Sequence, residues 1–204
     1  MKITKIKEIS GKRFRIYLDE EPAFVLFKGE LSSYGIEEDG ELSEEAYSGI
    51  MGELLPKRAK MRAMKLLKDR PYTVRGLTDK LVEAEYPDSA VNEAISYVQS
   101  YGYLDDAKYA HDFVYTYKGR KNRMRIIAEL NEKGVDRDLI EEALLDELGE
   151  DPEEYELAQI RKFLAKKNYD PETASFEEKQ KILASICRRG YSPGLVKKAM
   201  EETL

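Results

Sequence analysis

Tryptophan is absent from this 204-residue chain, and cysteine and histidine occur once each, as Cys187 and His111. A lone cysteine forms no internal disulfide, and one cysteine with one histidine does not furnish the ligands of a structural zinc site. Cys187 lies beside Arg188 and Arg189, which would lower a thiol pKa, but in a helical pattern it reads as a small half-buried packing residue. Long apolar runs are missing too. No window approaches the ~18–20 residues needed to cross a bilayer, and the start Met1-Lys2-Ile3-Thr4-Lys5-Ile6 has no signal-peptide core. These absences predict a cytoplasmic protein with no membrane partner. There is no glycine-rich phosphate loop and no serine elbow, and His111, next to Asp112, has no nucleophile partner, so the residues predict neither an enzyme nor a cofactor.

What the chain does contain is charge arranged on a helical period. Hydrophobic residues make up 42% and charged residues 36%, the balance of amphipathic helices with wide solvated faces. One pattern recurs three times: Leu77-Thr78-x-x-Leu81, Ile126-Ile127-x-x-Leu130 and Ile182-Leu183-x-x-Ile186. Thirteen residues beyond each last member stand Ala94, Ala143 and Ala199, and between them Tyr86, Val135 and Tyr191 share one offset. Every aligned column is apolar or small. Agreement across a helix, a turn and a second helix predicts a repeat protein, whose units stack because none buries its apolar face alone. The anchors are 49 residues apart (81 to 130) and then 56 (130 to 186), so the third copy carries extra loop, which Asn168-Tyr169-Asp170-Pro171 can supply.

The N-terminal 30 residues follow another rule. Phe14, Ile16 and Leu18 alternate with Arg13, Arg15, Tyr17 and Asp19, the period of a half-buried strand. Asp19-Glu20-Glu21-Pro22 reads as a turn, Ala23–Phe27 as a further strand, and the result as a two- or three-stranded meander too small to be stable without helices behind it. Ser43 reads as the N-cap of a helix to about Leu55, with Pro56 its end or a kink.

From Lys57 onward the chain reads as nine helices in three sets. Met61, Met64, Leu66 and Leu67 are expected to line the first, which stops before Pro71, and Thr73 to cap the second. Asp136, Asp151-Pro152, Ser175-x-x-Glu178 and Ser192-Pro193 are cap signatures, the middle helix of repeat two is expected from Asn122 to Lys133, and Gly134 is a left-handed stop. The expected architecture is mainly α: a β-rich segment with a short helix (1–56), then three tandem three-helix repeats (57–104, 105–150 and 151–204) in an elongated crescent.

Net charge of −6 conceals segregation along the chain. Residues 1–56 carry −5, 57–134 carry +5, 135–154 carry −9 and 155–204 carry +3. Two basic runs stand out. Arg58, Lys60 and Arg62 join Lys57 and Lys65 in the first helix of repeat one. Lys118, Arg120, Lys121, Arg123 and Arg125 bridge two helices of repeat two beside Tyr115 and Tyr117, with acids only distant in sequence. Clustered cations with aromatic surfaces suit a phosphate backbone and its bases, while a solvated helix-loop-helix surface explains the same run. Arg75 and Lys80 are weaker additions. The acidic block Asp136–Glu154 would repel nucleic acid or meet a basic protein surface.

Tyr103-Leu104-Asp105-Asp106-x-x-Tyr109-Ala110, with Arg125-Ile126-x-x-Glu129-Leu130-x-x-Lys133-Gly134-Val135, resembles the RecX family of bacterial regulators. Arg70-Pro71-Tyr72-Thr73-x-x-x-Leu77-x-x-Lys80-Leu81 looks like that family's first-repeat motif. Glu85-Tyr86-Pro87 departs from it, since a Lys-Gly turn is usual there. The resemblance implies a non-enzymatic monomer that binds the RecA recombinase filament on single-stranded DNA, itself held weakly or without sequence preference. It would inhibit recombinase and ATPase activity and so modulate DNA repair, homologous recombination and the SOS response. It favours a filament-facing role for the basic runs. A stand-alone helix-turn-helix DNA-binding module and a protein adaptor working through the acidic block are the rival readings. Asp105 and Asp106 read as helix-capping carboxylates rather than a catalytic pair.

Overall fold

The period-2 segment forms a sheet. In the computed structural model, which describes residues 1–202, β1 (Ile3–Ser10), β2 (Arg13–Leu18) and β3 (Glu21–Phe27) make an antiparallel meander in that order. Asp19 and Glu20 both take positive φ, 49° and 73°, as a two-residue hairpin loop requires to match the twist of its strands. Their side-chain and backbone groups are tied to the neighbouring β1 end of the chain: Lys2 N–H donates to Asp19 Oδ1 (3.1 Å) and Glu20 N–H to Thr4 Oγ1 (3.0 Å). The turn is therefore two residues shorter than expected. Glu21 and Pro22 belong to β3, an edge strand, with Pro22 opposite Tyr17 at a register shift where a missing donor is tolerated.

After α1 (Lys28–Ser33), Ser43 caps α2 (Glu44–Gly49) by accepting from Ala46 N–H at 3.1 Å. Pro56 does not end the helix. The chain passes through one π turn, residues 50–54, in which Leu55 N–H reaches back to Ile50 O, and continues as α3 (Leu55–Asp69). A proline ring crowds the carbonyl four residues earlier and offers no donor. A widened turn immediately ahead of it absorbs both defects.

The face of α3 turned inward matches the expected one in part, since Leu66 and Leu67 pack against the core. Met61 and Met64 are 66% and 38% exposed, while Ala59 and Ala63 are fully buried. The small pair at i, i+4 lets α3 lie close against α5 (Asp88–Ser100), the helix it packs on most extensively. α4 (Val74–Glu83) completes the first set of three. The second set is α6 (Asp106–Tyr117), α7 (Arg123–Glu132) and α8 (Arg137–Leu148), and the third α9 (Pro152–Lys166), α10 (Phe176–Cys187) and α11 (Pro193–Glu201). Thr73, Asn122, Asp136, Asp151, Ser175 and Ser192 all accept from amides of the helices they precede. No helix among the described residues is long and apolar enough to cross a membrane.

The chain forms two compact units, one ending at Asp105 and one beginning at Asp106. In the first, a single core runs from Ile3, Ile16 and Leu26 through Ile50 and Leu55 to Leu77, Leu81 and Ala94, so sheet and repeat one share their apolar interior. The second holds two cores, one around Ile126, Leu130 and Ala143 and one around Ile160, Ile186 and Ala199. Most of the recurring positions are thus buried, while Thr78, Tyr86, Ile127, Ile182 and Leu183 are half-buried.

Equivalent corners follow α4, α7 and α10, where Glu85, Gly134 and Gly190 take φ of 67°, 78° and 92°. A left-handed residue here suits glycine, and repeat one has glutamate instead. Its carboxylate has a use: Arg15 Nε of β2 donates to Glu85 Oε2 at 2.7 Å, Arg13 stands 3.7 Å from Oε1, and an Arg13 amino group donates to Ala84 O at 3.0 Å. The polar face of β2 is docked on this corner. Replacing Glu85 separates the two effects, because alanine loses the anchor and keeps the strain whereas glycine loses both. Chemical denaturation should rank wild type and the variants so that Glu85→Gly is more stable than Glu85→Ala by about 1 kcal/mol. Equal stabilities would show that the backbone at 85 carries no strain.

Candidate nucleic-acid interface

Repeat two's basic run forms a tight hairpin between α6 and α7. Tyr117 O accepts from both Arg120 N–H (2.9 Å) and Lys121 N–H (3.0 Å), and Gly119 supplies φ of 78° between them. Asn122 then works twice. Its Oδ1 accepts from Arg125 N–H at 2.8 Å to cap α7, and its Nδ2 donates to Arg189 O at 3.1 Å, in repeat three. Gly119 N–H donates to the Tyr155 hydroxyl at 2.8 Å, and the Glu156 carboxylate accepts from Arg123 N–H at the start of α7. Repeat three therefore clamps the hairpin through α9 and the α10–α11 corner.

That clamp is partly desolvated, and its groups titrate accordingly. Burial pushes the Glu156 carboxyl up, opposed by the Arg123 amide and charge. Burial likewise raises the Tyr155 hydroxyl, and that of Tyr191 to about 12 with further help from Tyr155 and Glu156. Gly190 is confined from the other side: a Cβ there would collide with the Asn122 amide.

The cations that this hairpin gathers are mostly paired. Lys118 Nζ meets Glu147 at 2.9 Å, Lys121 Nζ meets Glu129 at 2.5 Å, Arg123 meets Glu141 at 2.5 Å and Arg125 Nε meets Glu129 at 3.0 Å. Acids distant in sequence are adjacent in the fold, because α6 and α8 pack together and α8 brings Glu141 and Glu147 with it. Each aromatic ring has a cation over one face, Lys121 Nζ lying 3.5 Å from the Tyr117 ring centroid and Lys118 Nζ 4.1 Å from that of Tyr115, which stays 63% exposed. Arg120 is exposed and makes no ion pair among the described residues.

In the first unit, Arg58 is internal. Its side chain is 16% exposed, pairs with Glu30 at 3.0 Å, donates to Val25 O and stacks on Phe27 at 4.2 Å. Lys60 holds Glu93 at 2.6 Å. Arg62 on α3 and Arg75 on α4 are exposed and without ion pairs among the described residues. Elsewhere, His111 Nε2 stands 3.6 Å from Asp146 Oδ2, and Cys187 is a half-buried free thiol. Among the described residues no group of three His, Cys, Asp or Glu converges as metal ligands.

The fold and the clamped hairpin together define a tandem three-helix-repeat protein with a charge-paired polar surface. Comparison with known proteins specifies which kind. The description "RecX, first three-helix domain" matches residues 59–97, "RecX, second three-helix domain" residues 105–144, and "RecX, third three-helix domain" residues 153–200. Regulatory protein RecX of Caldanaerobacter subterraneus subsp. tengcongensis is 31% identical over 205 residues, spanning all of both chains. That of Lactobacillus delbrueckii subsp. bulgaricus is 30% identical over 98% of this chain and 74% of its own. The chain belongs to the RecX family. A crystal structure of regulatory protein RecX shares its fold with a TM-score of 0.61 at 23% identity, over 98% of this chain and 99% of that one. RecX from Lactobacillus salivarius does so at 0.59 and 19%, over 72% and 96%.

Glu129 gives the hairpin a pH dependence. The Lys121 hydrogen bond, aided by Arg125 and opposed by burial, holds its carboxyl below the ordinary value of 4.5. A carboxylate so depressed stabilises the fold at pH above its unfolded value, and that stability is lost as pH falls through the folded value. Thermal unfolding from pH 6 to pH 3 should therefore show a steeper loss for wild type than for Glu129→Gln. Parallel profiles would exclude Glu129 as a source of acid sensitivity.

Proposed function

We propose that this protein binds the RecA recombinase filament on single-stranded DNA and restrains its recombinase and ATPase activity, thereby modulating DNA repair and recombination. One observation carries the reading: all three RecX three-helix domains occur in order on a chain aligned end to end with a regulatory protein RecX. In this reading the protein acts as a cytoplasmic monomer through binding alone. Its working parts are residues 57–104, 105–150 and 151–204, with 1–56 docked on the first.

The hairpin cations Lys118, Arg120, Lys121, Arg123 and Arg125 are the proposed filament contacts, with Lys60, Arg62 and Arg75 as supporting positive charge and Arg58 as the residue that braces β3 behind them. Three acids of α8, Glu141, Asp146 and Glu147, pair within their own repeat. Their use there takes support away from an adaptor that docks through the acidic block. It also places carboxylates where phosphates would compete.

Two experiments test the assignment. Reversing Arg120, Lys121 and Arg123 to Glu should abolish inhibition of RecA's ATPase on single-stranded DNA with helicity intact, and Arg120→Glu alone should weaken it. Unchanged inhibition by the triple variant would remove the hairpin from the interface. Conversely, Glu141→Gln with Glu147→Gln frees Arg123 and Lys118. Affinity for a dT oligonucleotide should rise, with a salt slope steeper by roughly 0.7 per cation engaged. A fall in affinity would mean that the cations need their carboxylates for position.

A further inference from the structure

Three tyrosines at the end of α5 stand in solvent, although aromatic rings are among the largest sources of burial energy in a fold. Tyr97, Tyr101 and Tyr103 are 37%, 61% and 55% exposed. They form a ladder, with ring centroids 4.9 Å apart for Tyr97 and Tyr101 and 6.0 Å apart for Tyr101 and Tyr103, the latter two within 12° of parallel. The backbone beneath is fixed by a left-handed turn at Gly102 (φ 68°), closed by Gly102 N–H to Gln99 O (2.9 Å) and Tyr103 N–H to Val98 O (3.0 Å). After such a turn the next side chain ordinarily folds back as an apolar contact on its helix. Tyr103 stacks on Tyr101 instead.

Positive charge lies alongside. Lys60 Nζ is 5.3 Å from the Tyr97 centroid, and Lys57, Lys60, Met61, Met64 and Tyr97 line an open groove of about 600 Å³ on α3 and α5. The two carboxylates of this groove are Glu93, held by Lys60, and Glu53. α3 carries six cations and one acid, Asp69, and four of the six, Lys57, Arg62, Lys65 and Lys68, are exposed without ion pairs among the described residues.

We propose that the Tyr97-Tyr101-Tyr103 ladder is a stacking platform for the unpaired bases of single-stranded nucleic acid, with the α3 cations drawing the backbone phosphates. An apolar protein segment seated here would have to desolvate those unpaired cations, whereas a phosphate chain neutralises them. The near-parallel Tyr101 and Tyr103 rings accept any base on a free face, with Tyr97 tilted 52° from Tyr101 beside them, which gives binding without sequence preference. The platform rests on the filament reading only in taking single-stranded DNA as ligand, and it adds a contact in the first unit that the basic hairpin does not supply.

Binding of the full chain to a fluorescent dT oligonucleotide tests it without RecA. Tyr101→Ala with Tyr103→Ala should weaken binding at least about fivefold. Tyr101→Phe with Tyr103→Phe should retain it, with circular dichroism unchanged in both. The alanine deficit should persist at high salt, and the slope of log affinity against log salt should stay as in wild type, since no phosphate contact is removed. Wild-type affinity in the alanine variant, or equal loss in the phenylalanine variant, overturns the platform, the first outcome leaving the ladder to a protein partner. Inhibition of RecA ATPase by the wild-type chain is scored separately: its absence beside tyrosine-dependent binding would sink the filament reading and leave the platform standing.

Discussion

Several corners between helices depend on one backbone arrangement, a helix end closed by a residue of positive φ. After α4, Glu85 N–H reaches Val82 O and Tyr86 N–H reaches Leu81 O. After α7, Gly134 and Val135 do the same to Asn131 and Leu130. Asn168 and Tyr169 repeat it on Ala165 and Leu164 after α9. These bonds occupy carbonyls that a helix leaves unsatisfied at its C-terminus, and they turn the following side chain back onto the helix. Val135 and Tyr169 are buried as a result, and Tyr86 packs against the core. Because the corner has one length, the apolar columns on either side stay in phase from repeat to repeat. The extra residues of the third copy fall between α9 and α10, away from the α10–α11 corner, so they leave the phase intact.

Repeat one breaks the pattern at the residue that joins it to the sheet. A glycine at 85 would be easier for the backbone, yet it would present nothing to Arg13 and Arg15. A small meander needs an apolar face with something to pack against. It is held here by a shared apolar core from one side and by this ionic corner from the other. Local strain is thus exchanged for a long-range contact, between residues 70 apart in sequence.

What could be read in the sequence follows from the range of each interaction. Caps and left-handed stops are decided within four residues, and Thr73, Asp136, Asp151, Ser175 and Ser192 all cap as their spacing indicates, while Asn122, read as the first residue of its helix, is the cap instead. The three repeats were legible because each sums several such local signals. Faces were harder. In α3 the stripe Met61-Met64 and the stripe Ala59-Ala63 have compatible helical periods, and only the close approach of α5 selects the small pair. Pro56 reads as an end or a kink, but the widened turn that carries the helix past it is not written in residue type. Within the hairpin, Arg125 with Glu129 is an i, i+4 pair open to inspection, whereas Arg123 with Glu141 and Lys118 with Glu147 span 18 and 29 residues and require the packing of α8.

Those distant acids change what a basic run signifies. A cation that already holds a carboxylate at 2.5–3.0 Å gives a polyanion less than its formal charge, because a phosphate must displace the carboxylate as well as a counterion. Most exposed ion pairs are worth little, so that exchange costs little energy, but it lowers the net gain and the salt dependence together. In return, the pairs restrict long side chains that would otherwise lose entropy on binding. Tyr155, Glu156 and Arg189 meanwhile fix the backbone that carries them. In the proposed filament contact, a hairpin paired in this way would favour a partner that presents phosphate and protein surface together, where the displaced Glu129, Glu141 and Glu147 meet new cations; the charge count along the chain measures only the attraction.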